Sequence, residues 1–79
     1  MATANEILDQ QFLEMRWRVL SLAADLDRVQ RAAGSDWESL VRSEKRLQQL
    51  AVSLGILNGP SSDRAEQVQM LFSDQTPLA

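Results

Sequence analysis

The sequence predicts an all-α protein built as an antiparallel helical hairpin with a short third helix. Three observations carry this. Eight apolar residues, Leu8, Phe12, Met15, Val19, Leu22, Leu26, Val29 and Ala33, are spaced alternately four and three apart, the period of a helix seam. Gly34 ends the run, and fresh capping residues follow at once, so the chain must turn tightly into a second helix. A polar linker, Asn58, Gly59, Pro60, Ser61 and Ser62, then separates a last short apolar segment.

Each element has its own start and stop. Thr3 followed by Glu6 has the form of a capping box, which places helix 1 over about 4–33. Gly34 takes the left-handed terminating conformation at little cost, and Arg28 and Arg31 suit a helix C-terminus. Ser35, Asp36 and Glu38 repeat the capping signal, giving helix 2 over about 36–54. Its heptad reads Trp37, Leu40, Glu44, Leu47, Ala51 and Leu54, widened by Val41 and Leu50. Gly55 before apolar Ile56 fits a Schellman ending, so residues 55–62 read as linker. Ser62 or Asp63 can cap helix 3 over about 63–72, which carries Ala65, Val68, Leu71 and Phe72 and is marginal without tertiary support. Residues 1–72 are expected to form a single helical domain and 73–79 a disordered tail.

Helix 1 carries more apolar surface than one neighbour can cover. Leu13, Trp17, Leu20 and Ala24 fall beside the seam, so the apolar arc spans roughly 240°, against the ~100° that a helix with one partner needs. Thirty residues at ~1.5 Å each also give a rod of ~45 Å, longer than a compact globule of this chain length. A chain of 79 residues has a marginal core by itself. The economical solution is a homodimer, two hairpins packed as a four-helix bundle. The alternative is that helix 3 and the Ile56–Leu57 segment cover the second stripe within one chain.

One heptad position of helix 2 is charged. Glu44 lies between Leu40 and Ala51 on the wheel, where an unpaired buried carboxylate is costly. Arg16 is the only cation projecting into the apolar arc of helix 1, too far along the hairpin axis to meet Glu44 of its own chain. In an antiparallel dimer with its two-fold axis near Ser21, Arg16 reaches Glu44 of the partner. The competing reading leaves Glu44 at the interface edge with its stem packed and its head wet. The expected dimer or partner interface is therefore Leu13, Arg16, Trp17, Leu20, Ala24 and Glu44.

Composition removes most chemistry. With no cysteine and no histidine, disulfides, thiolate nucleophiles, histidine-ligated metals and histidine bases are excluded. No Gly-rich phosphate loop or serine triad is present. Asp25 and Asp27 point apart on the helix and read as exposed ion pairs with Arg28 and Arg31, a pattern that Glu14 with Arg18 and Glu38 with Arg42 repeat. A small bundle enzyme of the chorismate mutase kind needs several inward cations, and only Arg16 qualifies. No catalytic residue, cofactor or metal is expected. Net charge of −3, mixed in sign, argues against nucleic acid or an anionic membrane as the main partner. Glu6, Asp9 and Glu14 interrupt the opening residues, which therefore do not read as a signal peptide, and no apolar run is long enough to span a bilayer. The expected location is the cytoplasm.

These features describe a non-enzymatic protein–protein interaction module, a scaffold, adaptor or regulatory subunit that self-associates and offers an apolar helix face to another protein. The alternative uses Arg42, Lys45 and Arg46 on the outer side of helix 2, which a two-fold dimer presents twice. That arrangement resembles in outline the small Rop-type dimeric hairpins that bind paired RNA hairpins. The resemblance is architectural, without a shared motif, and implies a nucleic-acid-binding accessory protein.

Overall fold

The computed structural model describes residues 1–73, which contain helices, turns and short connections but no strand. The elements are α1 (Ala4–Ala33), a 3₁₀ turn (Gly34–Asp36), α2 (Trp37–Ser43), α3 (Lys45–Leu57) and α4 (Arg64–Phe72). The chain divides into two compact units, the first Met1–Trp37 and the second starting at Glu38.

Local chemistry sets both ends of α1. The Thr3 hydroxyl accepts from the Glu6 amide at 3.1 Å while the Glu6 carboxylate accepts from the Thr3 amide at 3.2 Å, so the capping box is closed. At the other end the Gly34 amide still donates to the Gln30 carbonyl, and the chain then departs with φ 55° and ψ −125°. The positive φ is the one that glycine supplies cheaply, but this ψ lies outside the left-handed helical well. A single 3₁₀ turn follows, and its helical dihedrals lead directly into α2.

The second unit departs from the expected continuous helix over 36–54. The helix breaks at Glu44, whose backbone is extended (φ −90°, ψ 112°). Ser43 prepares the break by donating its hydroxyl to the Ser39 carbonyl at 2.9 Å, a side-chain bond that competes with the helical ladder. The Gln48 side chain then donates to the Arg42 carbonyl at 2.7 Å, which satisfies a group that the interruption frees. Glu44 becomes the N-cap of α3, accepting from the Arg46 amide at 3.1 Å.

α3 also outruns its expected end. Gly55 keeps a helical conformation and the helix continues to Leu57, so the linker expected over 55–62 begins at Asn58. The cause is a distant cap: Arg64 donates from Nε to the Leu57 carbonyl at 3.0 Å and from Nη2 to the Gly59 carbonyl at 2.6 Å. A guanidinium at a helix C-terminus satisfies open carbonyls and complements the helix dipole, so no left-handed glycine is needed. Asp63 occupies the N-cap position of α4, but its carboxylate accepts from Ser61 and, at 2.6 Å, from the Gln67 side chain rather than from a backbone amide. Of the tail expected to be disordered, Ser73 closes α4 through a 2.9 Å bond to the Gln69 carbonyl. The remainder lies outside the described residues.

α3 packs on α4, and this contact decides which face of α3 is shielded. Leu47, Leu50 and Ile56 are half-buried, with Val68 and Leu71 from α4, and Ser53 is the only buried residue among those described, at 7% exposure. Ala51 and Leu54, which the expected heptad places inside, are exposed. Within α3 the sheltered positions run Leu47, Leu50, Ser53 and Ile56, so the expected pattern from Trp37 holds as far as Leu47 and then moves to the neighbouring stripe. A serine can occupy the shielded position because its hydroxyl donates to the Gln49 carbonyl at 2.9 Å and so is not left unpaired.

Candidate functional site

α1 carries a long row of exposed apolar side chains. No residue of α1 is buried, and Ile7, Leu8, Phe12, Met15 and Val29 are all exposed. Exposure rises further at Leu13 (69%), Trp17 (66%) and Val19 (69%). A helix made this way exists because its backbone bonds are internal and its caps closed, while its side chains leave the apolar surface for another body to cover.

That surface has two adjoining grooves. One is lined by Leu8, Phe12, Met15, Val19 and Ala23, the other by Leu13 and Trp17, and Arg16 and Leu20 border both. Five of the six residues expected at an interface, Leu13, Arg16, Trp17, Leu20 and Ala24, thus lie on exposed α1 surface, four of them lining the second groove. The polar side carries ion pairs along the helix: Glu14–Arg18 at 2.9 Å, Asp25–Arg28, and Asp27–Arg31 at 3.9 Å. All are solvent-exposed, so each contributes a few tenths of a kcal/mol at most and serves mainly to orient its partners.

Glu44 has a different setting from the one expected. It is not a charged member of a continuous seam but a helix cap, and its need for a cation is met in its own chain. Its Oε1 accepts from Arg46 Nε at 2.8 Å and its Oε2 from Arg46 Nη2 at 3.3 Å. The hydrogen bond from the Arg46 side chain, and next the one from the Arg46 amide, hold this carboxyl below the usual glutamate range, while Glu44 in turn raises Arg46. The signal was present in the sequence as the one carboxylate on an apolar stripe, where a break is cheaper than burial.

The same break alters the basic cluster. Arg42 belongs to α2, whereas Lys45 and Arg46 open α3, so the three do not form one regular helix face. Arg46 is engaged by Glu44, and Lys45 is half-buried. Two residues of structural weight had no signal in local pattern: Arg64, which caps a helix seven residues earlier, and Ser53.

Among the described residues no group of three or more carboxylates gathers as a metal-ligating cluster, and no helix is long and apolar enough to cross a membrane. No family model matches the chain, and neither a curated protein nor a solved structure shows significant similarity to it.

Proposed function

We propose that the chain is a non-catalytic helical interaction module whose working surface is the apolar face of α1. The observation that supports this is the exposure of a row of large apolar side chains along one 30-residue helix, far beyond the scattered exposure normal for a soluble monomer. In this reading the first occupant of the face is a second copy of the chain. α1 and the helices after Gly34 turn back on each other as a hairpin, and two hairpins assemble into a four-helix bundle. Trp17 and Leu13, on the second groove, remain available to another protein, where an aromatic anchor contributes most.

Sedimentation equilibrium over a concentration range tests it. The native chain should approach twice its 8.9 kDa mass as concentration rises, and Val19→Asp, in the middle of the exposed row, should remain a monomer with its helix content kept. A native chain of single mass at every concentration overturns the proposal.

A further inference from the structure

If two copies associate through α1, the charges beside its seam decide how they meet, and we infer that they pair antiparallel about a two-fold axis between Leu20 and Ser21. The inference rests on the self-association proposed above and adds its direction and register. With the axis there, every seam residue meets another. Val19 faces Leu22 of the second copy, Met15 faces Leu26, Phe12 faces Val29, and Leu8 faces Ala33. No polar residue enters these layers.

The flanks select among the possible arrangements. On one side of the seam lie Gln11, Arg18, Asp25 and Ala32, and on the other Asp9, Arg16, Ala23 and Gln30. In the antiparallel register Arg18 comes within about two residues, ~3 Å of helix rise, of Asp25 of the second copy, and symmetry makes the contact twice. Both groups are already oriented by partners on their own helix, Arg18 by Glu14 and Asp25 by Arg28. The contact therefore joins two pairs into a chain of alternating sign, Glu14, Arg18, Asp25, Arg28, across the interface. On the opposite flank Arg16 faces Ala23 and Asp9 faces Gln30, so no like charges meet. A parallel pairing sets Arg18 against Ala23 and Asp25 against Gln30 and makes none of these contacts. It also aligns the acidic starts, Glu6 and Asp9, with each other and the basic ends, Arg28 and Arg31, with each other, together with their helix dipoles.

Two measurements test the direction and the register. The chain has no cysteine, so Gln10→Cys offers a single site for a spin label on the outer side of α1. Antiparallel pairing separates the two labels by 21 residues of rise, more than about 30 Å, whereas parallel pairing brings them to roughly 20 Å. Arg18→Asp should raise the dimer dissociation constant about tenfold, since it places like charges together twice. Adding Asp25→Arg to the same chain should restore most of the affinity, a recovery that helix damage cannot mimic. A dimer with the short label distance overturns the antiparallel inference while leaving self-association standing. A long distance with no effect of charge reversal overturns the register. A monomeric labelled chain, with the unlabelled native chain also monomeric, removes the reading under both.

Discussion

Replacing Gly55 by alanine should stabilise the protein, although a glycine ending a helix in the left-handed conformation would make the same change harmful. The sign follows from geometry. Gly55 is the third-last residue of α3, its backbone is helical rather than left-handed, and an added Cβ meets nothing within 4 Å. The methyl therefore costs no steric adjustment, and the substitution removes the excess freedom that glycine has when unfolded, a gain of about 0.5–1 kcal/mol. In a domain of this size that corresponds to a rise in Tm of roughly 2–8 °C, read from helix circular dichroism at fixed protein concentration. Gly34→Ala is the matched control. There too the Cβ meets open space, but φ is +55°, so an opposite shift of about 1 kcal/mol reports backbone strain alone. The Asn58 amide, bonded to the Leu54 carbonyl at 3.1 Å, should also exchange more slowly in Gly55→Ala. A fall in Tm for Gly55→Ala would falsify the continuation of α3 to Leu57 and restore a glycine-terminated helix.

Arg64→Met keeps the side-chain stem but deletes the hydrogen bonds to the Leu57 and Gly59 carbonyls, so it should cost about 1 kcal/mol at this exposed site and speed amide exchange in α4. Unchanged exchange in α4 would show that Arg64 does not hold the connection. The pH dependence has a definite sign as well. Glu44 is held below its ordinary range by Arg46, so the folded chain binds fewer protons than the unfolded one as the medium is acidified. Its stabilising contribution is present above the ordinary glutamate range and disappears as pH falls through the lower, folded value. Asp63, lowered by Ser61 and then Gln67, acts in the same direction. Urea midpoints measured against pH should therefore decline on acidification less steeply in Glu44→Gln, and identical slopes would refute the role of the Glu44–Arg46 pair.

How much could be read in advance varies with the range of the interaction responsible. Thr3 with Glu6, and Asp25 with Arg28, act over three residues, and their bonds form as local rules require. Glu44 was legible only as an anomaly. Its charge on an apolar stripe marked a conflict, and the chain resolves it by ending one helix and capping the next, an outcome that depends on Ser43, Gln48 and Arg46 acting together. The candidate surface on α1 follows from periodicity, whereas the basic residues expected on one helix are divided between α2 and α3 because that helix is interrupted at Glu44.

Sequence alone determined the helical class, the capped 30-residue rod of α1 and the wide apolar circumference along it, because helix periodicity and capping bonds lie within a turn or two of backbone. Tertiary structure decided where α3 ends and which of its residues are sheltered. Arg64 reaches back seven residues to carbonyls that local pattern would have left to Gly55, and the docking of α4 shelters Ser53 in preference to Leu54. A cap or a packed face supplied by another element selects among conformations that the local sequence leaves close in energy, and its choice becomes visible only when that element is in place.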